Sequence, residues 1–384
     1  MQILHVIDTL SPAAGGPPQA VRQLVKASCA AGTQVEVVSL DHPRSDFLAG
    51  LACPVHPLDE SLLGRYAFSP RLWRWLRCHA ARFDGMVMHG VWTFPGSALR
   101  SAARRAGRPY GVFVHGALDP WFQRQYPLKH VKKLLYWPLQ YAVLRDAAAV
   151  FFTTATERDL ALAGFRPGRW TSVVAPLGLM EEEYAGRDSA AQIEAFYRAL
   201  PAVRGRSFLL FLGRIHIKKG CSLLIEAFAR LAATVPRVDL VIAGPDQAGL
   251  QPALQAQAAA LGVAARVHWP GILGGDSKWG ALRACDALVL PSHQENFGLA
   301  VVEALAAGRP VLLSDQVNIW PDIVADGAGL AAPDTLDGTL RLLDQWFRLS
   351  PAARDAMAAR APACFAARFS LARSVAAINR AFAA

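Results

Sequence analysis

The first half of the chain alternates short, continuous apolar runs with stretches whose apolar residues recur at helical spacing. The runs at 3–7, 35–40, 86–89, 110–115 and 150–153 have the pattern of strands buried on both faces. Between them, 18–31, 71–83, 97–106 and 129–146 are expected to be helices. The pattern then restarts, with strands expected at 208–212, 239–243, 267–269, 287–290 and 311–314. Helices are expected at 222–233, 251–261, 278–284, 298–307 and 335–349. Strand–helix alternation of this kind predicts a doubly wound parallel sheet, here built twice without any sequence repeat between the halves. The seam is expected near 181–202, where the acidic run Glu181-Glu-Glu183 is followed by an alanine-rich helix and Pro201. The fold class is therefore α/β, with two facing Rossmann-like domains and ligands in a cleft at the strand C-termini. The expected boundaries are 1–185 and 186–361, with a helical segment, 362–384, packing back on the first domain.

Composition narrows the class without changing this picture. With 384 residues, 53% of them hydrophobic and 18% charged, the chain can bury two cores of ordinary size. No window is apolar for long enough to span a bilayer. The start, Met1-Gln-Ile-Leu-His-Val-Ile-Asp8, has no basic region or cleavage site and reads as a strand, so a cytoplasmic protein is expected. The six cysteines are scattered without metal-ligand spacing, which suits free thiols in a reducing compartment.

Charge adds one feature. The net charge of +10 is concentrated between residues 71 and 133. That window holds Arg71, Arg74, Arg77, Arg82, Arg100, Arg104, Arg105, Arg108, Arg124, Lys129, Lys132 and Lys133 against Asp84 and Asp119. Tryptophans 73, 75, 92, 121 and 137 fall in or beside it. A nucleic-acid groove is also basic and aromatic. Placement on expected amphipathic helices instead favours an anionic membrane surface or a lipid-linked diphosphate, with a solvated basic face as the plain alternative.

Candidate chemistry falls at the strand ends. In Ser292-His-Gln-Glu-Asn-Phe-Gly-Leu-Ala-Val-Val-Glu303, seven residues separate Glu295 from Glu303. If a helix opens at 296–298, a rise of ~1.5 Å per residue sets the carboxylates about 12 Å apart along its axis. That is the reach of an extended nucleotide sugar, with free N–H groups between for a diphosphate. Chance spacing of two glutamates is the bland reading. In Phe211-Leu-Gly-Arg-Ile-His-Ile-Lys-Lys-Gly220, Arg214 and Lys219 on a strand-to-helix loop can clamp a diphosphate, or simply be solvated in a turn. Gly15 and Gly16 lie between the first strand and first helix and allow close approach to a phosphate, though a tight turn explains them equally. The full dinucleotide fingerprint is missing there, which disfavours a nicotinamide cofactor. His115 ends a strand and can bond a sugar hydroxyl or phosphate. His89, one strand earlier, reads equally as an acceptor contact or as packing. With Trp92, Asp119 and Trp121, it makes up the acceptor-side candidates.

Taken together these motifs resemble retaining glycosyltransferases of the GT-B fold, family 4 (group 1), over nearly the whole chain. Glu295 to Glu303 matches the family's E-x7-E element, and Gly213-Arg214 through Lys219-Gly220 matches G-R-x4-K-G. Gly15 and Gly16 match the N-terminal Gly-Gly loop, and His115-Gly116 matches the H-G of the acceptor domain. The stretches around His89, His115 and Glu295 further resemble a bacterial subgroup that builds surface polysaccharides. The resemblance implies transfer of a hexosyl unit from a nucleotide-diphosphate sugar to a hydroxyl of a lipid-linked or other glycan acceptor. It implies that Arg214 and Lys219 bind the diphosphate, Glu303 the ribose, and Glu295 the sugar. Amides of Asn296, Phe297, Gly298 and Leu299 would meet phosphate and sugar, and His115 the sugar near the reacting centre. No metal or cofactor is implied, nor any nucleic acid. The segment 267–271 would contact the base through its backbone, leaving guanine, uracil and adenine unseparated, and either Lys218 or Lys219 reaches phosphate. A peripheral position at the inner membrane face follows from the basic window. The rival readings are a nucleotide-sugar epimerase of the same architecture and a nucleotide-sugar-binding scaffold without turnover.

Overall fold

The computed structural model describes residues 1–125, 127–180, 184 and 188–383, with the side chains of residues 122, 124, 129, 130 and 132 left aside. The run Glu181-Glu-Glu183, expected as a linker, lies outside the described residues. The chain forms two compact units, one of Met1–Met180 with Ser370–Ala384 and one of Glu181–Phe369.

The first unit is a seven-stranded parallel sheet of β1 (Gln2–Ile7), β2 (Gln34–Ser39), β3 (Val55–Pro57), β4 (Gly85–His89), β5 (Tyr110–Phe113), β6 (Ala149–Phe152) and β7 (Ser172–Val174). Its order is β3-β2-β1-β4-β5-β6-β7. Alternate residues feed two cores. Leu4, Val6, Val38, Met86 and Met88 join one, with Leu72, Leu76, Leu99 and Leu144 from covering helices. Ile7, Val35 and Val37 join the other, under Val21 and Val25 of the helix Gly16–Ala30. This two-sided burial is why the strands read as continuous apolar runs.

The second unit repeats the plan with six parallel strands: β8 (Ser207–Leu212), β9 (Val238–Ala243), β10 (Val267–Gly271), β11 (Ala287–Leu290), β12 (Val311–Ser314) and β13 (Gly329–Ala332). They run in the order β10-β9-β8-β11-β12-β13. Both sheets therefore reverse their winding between the first and fourth strands, β1/β4 and β8/β11. At such a point the loops leave the strand C-termini in opposite directions and open a crevice.

The structure departs from the sequence reading in identifiable places. Strands β3, β7 and β13 were not expected. All three lie at sheet edges, have three or four residues, and are largely half-buried, so they lack a hydrophobic run. Short helices at Trp121–Gln125, Ala155–Gly164 and Trp320–Ala325 were also unforeseen. The last helical stretch does not begin at Pro362. That proline sits inside the helix Pro351–Arg368, and the break comes at Phe369 and Ser370. The helix Leu371–Phe382 then lies in the first unit, where Ser374 bonds the Pro176 carbonyl and Phe382 occupies the space a Cβ on Gly85 would need. Among the described residues, no helix is long and apolar enough to cross a membrane.

In the second unit the helices Ser189–Ala199 and Gly275–Ala284 pack at backbone contact. A Cβ on Gly280 would run into the Gln192 carbonyl and approach Phe196 at 2.9 Å. The Gly280→Ala variant is expected to lose about 1–3 kcal/mol of stability through overpacking. Denaturant unfolding tests this, and a midpoint equal to that of the parent chain would show that the helices can part at no cost.

Candidate functional site

In the second unit the candidate residues Arg214, Lys219 and Glu295 lie on the loops after β8 and β11, at the reversal of the sheet. The β8 loop turns back at Gly220, in the left-handed region at φ 67°, where a Cβ would strike the Pro291 carbonyl of the β11 loop. The His293 N–H donates to the Lys218 carbonyl at 2.7 Å, closing the same crossing. This contact brings the Lys219 ammonium against the Glu295 carboxylate as an ion pair, with both side chains more than four-fifths buried. Burial, with Arg214 and Lys218 nearby, presses the Lys219 ammonium down to about 7. The Glu295 carboxylate opposes this and favours the charged form. Arg214 is exposed and donates to the Gln247 side chain at 3.1 Å. The β8 loop is pinned on its other side too, because a Cβ on Gly244 (φ 145°) would meet the Gly213 carbonyl.

The segment 295–303 does not form one helix. Glu295 is held as a strand-like bridge, its N–H donating to the Gln316 carbonyl and its carbonyl accepting from Asn318 N–H, both at 3.0 Å. Gly298 takes a left-handed φ of 78°, and the helix starts only at Leu299 and runs to Ala306. Glu303 thus lies about one turn into the helix, not two, and the 12 Å spacing drawn from continuous helical rise loses its basis. Phe297 is buried edge-on to Phe369, so its side chain packs and only its backbone faces the loop. Glu303 is 4% exposed and pairs with Lys278, Nζ to Oε1 2.7 Å. The 267–271 segment is β10, and the Gly271 carbonyl accepts from the Gly244 N–H.

In the first unit, Gly15 (φ 94°) caps the helix Gly16–Ala30, and nothing lies within 4 Å of where a Cβ on Gly16 would point. Three histidines line up across the sheet. His5 Nδ1 lies 2.8 Å from His89 Nε2, and His89 Nδ1 lies 3.0 Å from His115 Nε2. Burial lowers His5 and His115 to about 4 and His89 well below its ordinary value, with its two neighbours adding to the effect on His89. His115 holds a strained left-handed φ of 50°, and the next residue, Gly116, donates its N–H to the buried Glu157 carboxylate at 2.5 Å. Asp8, at the end of β1, has its carboxyl pushed up to about 6 by burial, with the Thr93 hydroxyl opposing. Trp92 sits in an aromatic cluster with Trp137 and Phe165, its indole N–H donating to the Ala117 carbonyl. Asp119 accepts from the Trp121 N–H at 2.8 Å, capping the short helix that follows. Trp92 and Asp119 thus have local structural work.

The family described as glycosyl transferases group 1 matches residues 192–362, and the glycosyl transferase 4-like domain matches 15–178. A D-inositol 3-phosphate glycosyltransferase of Frankia alni is 33% identical over 296 residues, 69% of either chain. The chain belongs to the group 1 glycosyltransferases. An alpha-D-kanosaminyltransferase of Streptomyces kanamyceticus is 26% identical over 380 residues, covering 91% of this glycosyltransferase and 95% of the relative. A second D-inositol 3-phosphate glycosyltransferase, from Actinosynnema mirum, is 36% identical over 166 residues, 40% of this chain, which spans 38% of that relative's length. The GT-B fold agrees. A crystal structure of an Anabaena protein in complex with UDP and glucose superposes with a TM-score of 0.77 at 21% identity, covering 100% of this chain and 98% of that one.

Four residues were not among the sequence candidates: His5, Glu157 and Lys278, which contact His89, Gly116 and Glu303, and Asp8 at the end of β1. The signal for His5 and Asp8 is a polar residue inside or ending an apolar strand. Glu157 and Lys278 come from separate helices, and spacing gives no hint of them. The basic window is also partly neutralised by distant acids. Arg71 pairs with Glu60, Arg82 with Glu36, and Arg100 and Arg104 with Asp146. The side chains of Arg124, Lys129 and Lys132 lie outside the described residues.

The depressed histidines give a signed pH dependence. His5 titrates near 4 when folded and near its ordinary 6.5 when unfolded. Between those values the unfolded chain binds the proton and the native one does not. Stability is therefore full above pH 6.5 and falls as the pH drops towards 4, by about 3 kcal/mol from His5. Denaturant unfolding across this window is expected to give a steeper decline for the parent than for His5→Asn, and parallel profiles would contradict it.

Proposed function

We propose that this glycosyltransferase moves a hexosyl unit from a nucleotide-diphosphate sugar to an acceptor hydroxyl, with retention at the anomeric carbon. The observation that carries the reading is the buried Lys219–Glu295 pair beside Arg214, where the β8 and β11 loops cross. A lysine held there by a carboxylate is a cation waiting for a stronger anion. A diphosphate, with more charge and more acceptor oxygens, would take Lys219 from Glu295 and draw in Arg214. Glu295 would then turn to the hydroxyls of the sugar. The N–H groups of Leu299 and Ala300, which open the helix Leu299–Ala306, are assigned to the phosphate seat together with the amides of 296–298, while those of Val301 and Val302 donate to the Gly298 carbonyl. Glu303, already oriented by Lys278, would accept from the ribose hydroxyls. In the first unit, His115 is assigned to a sugar hydroxyl and the Gly16 amide to phosphate, while the Gly15 N–H donates to the Pro12 carbonyl at 3.1 Å and shapes the turn.

The reaction needs no enzyme nucleophile in this scheme. Arg214 and Lys219 stabilise the charge that builds on the departing diphosphate, and the diphosphate takes the acceptor's proton on the same face of the sugar. Neither metal nor cofactor is invoked, since these cations supply the charge.

The acceptor is proposed to be a lipid-linked glycan at an anionic, inner membrane face, in polysaccharide synthesis. Support comes less from net charge than from the helix Pro127–Arg145. Leu128, Val131, Leu135 and Leu139 form an exposed stripe at helical spacing, between 57% and 82% accessible. Tyr136, on the same helix, is linked through Tyr66 to Phe94. Phe94, with Phe68, Pro70 and Trp73, lines an open apolar groove of about 380 Å³. Arg77 stacks on Trp73 at 4.4 Å, which places positive charge beside this apolar surface.

Two outcomes are expected. Arg214→Ala and Lys219→Ala each lower kcat by ~10²-fold or more, as loss of one electrostatic donor does. Sugar transfer from a panel of nucleotide-diphosphate donors measures this, and parental rates in both variants would sink the phosphate clamp. The double variant Leu128→Gln, Leu135→Gln is expected to lose most co-sedimentation with phosphatidylglycerol vesicles while keeping its transfer rate to a water-soluble acceptor. Undiminished vesicle binding would remove the membrane reading.

A further inference from the structure

We propose that His5, His89 and His115 act as one hydrogen-bonded series that locks His115 in its Nδ1–H form, so that it donates a hydrogen bond and cannot serve as a base. The sheet register builds the series. His5 of β1 stands beside Val87 of β4, His89 lies two residues on, and His89 stands beside Phe113 of β5, with His115 two residues on again. Side chains two apart share a face, so the three imidazoles step diagonally towards the C-terminal edge of the sheet. Their rings follow one another at 5.1 and 5.3 Å, tilted by 20° and 24°.

A neutral imidazole carries one N–H and one lone pair. Burial keeps all three rings neutral near pH 7. With His89 bonded at both nitrogens, only two arrangements remain. Either every ring is protonated on Nδ1, or every ring is protonated on Nε2. His5 decides between them. It is fully buried, and its Nε2 finds no partner among the described residues. The second arrangement buries an N–H with nothing to receive it, whereas the first leaves only a lone pair unmet. Orphaned buried N–H groups are the rarer case in folded proteins. The series therefore runs His5 Nδ1–H to His89 Nε2 and His89 Nδ1–H to His115 Nε2, and leaves the proton of His115 on Nδ1.

The consequence is chemical. The Nε2 lone pair of His115 is occupied by His89, and its Nδ1 bears the proton, so His115 has no site from which to accept one. It is suited to donate to an oxygen acceptor such as a sugar hydroxyl. That last step rests on the transfer reaction proposed above, whereas the tautomer does not. His5 and His89 are positioning residues.

Nitrogen-15 NMR of the histidine-labelled chain at pH 7, without substrate, is expected to show Nδ1–H tautomers at all three positions. An Nε2–H or doubly protonated His115 would overturn the proposal. In His89→Phe, His115 Nε2 loses its donor, so His115 is expected to divide between tautomers and kcat to fall by about 2-fold or more as the competent form loses population. In His5→Phe the unmet lone pair passes to His89 Nε2, so the His115 tautomer and most of kcat are expected to stay. A His115 that keeps its Nδ1–H form in His89→Phe, or loses it in His5→Phe, would overturn the series. If the tautomers are as expected but His115→Ala transfers sugar at the parental rate, the series stands and the contact with sugar falls.

Discussion

At the crossing of the loops that follow β8 and β11, the Gly220 backbone lies so near the Pro291 carbonyl that no side chain fits between them. The rest of the second unit's site depends on this contact. It is possible because β8 and β11 are adjacent in the sheet, which brings the starts of the loops that follow them side by side. The crossing sets Lys219 on Glu295 and the Lys218 carbonyl on His293. A residue with a Cβ at 220 would push the loops apart and separate the charges with them. Glycine here is dictated by both the left-handed backbone and the lack of space.

The two lysine–glutamate pairs, Lys219 with Glu295 and Lys278 with Glu303, share an electrostatic logic. A carboxylate buried alone would be driven towards its neutral form, and a lysine buried alone likewise. Paired, each side chain is fixed in direction by its partner. Desolvation keeps each pair only moderately favourable, so a ligand that brings matching charge and its own hydrogen bonds can replace one member without a large penalty.

How much of this could be read from the sequence follows physical lines. Central strands such as β1 and β8 are buried on both faces and declare themselves as apolar runs. Edge strands β3, β7 and β13 owe their existence to a neighbour's unpaired backbone, which leaves little mark on composition. Glu295, Glu303, Arg214 and Lys219 could be picked out as candidates because each falls in a fixed motif in the loop or helix that follows a strand. The helix boundary between the two glutamates was not legible, because the left-handed turn at Gly298 is decided by loop packing and not by helical propensity. Lys278 and Glu157 reach their places from other helices, so only the tertiary fold pairs them with Glu303 and Gly116. His5 was hidden for another reason: one polar residue in Ile3-Leu-His-Val-Ile7 disturbs a hydrophobic run very little, although all its chemistry lies across the sheet.

The first unit draws its final helix, Leu371–Phe382, from beyond the whole of the second. During synthesis, residues 1–180 emerge early, with the Gly85 edge of β4 still lacking the Phe382 ring that fills it. The second unit, continuous in sequence, can settle as soon as its own residues are made, whereas the first must wait for a segment translated after the whole of the second. Of the two, the unit whose strands are made earlier is thus completed later, and until then Gly85 stays uncovered.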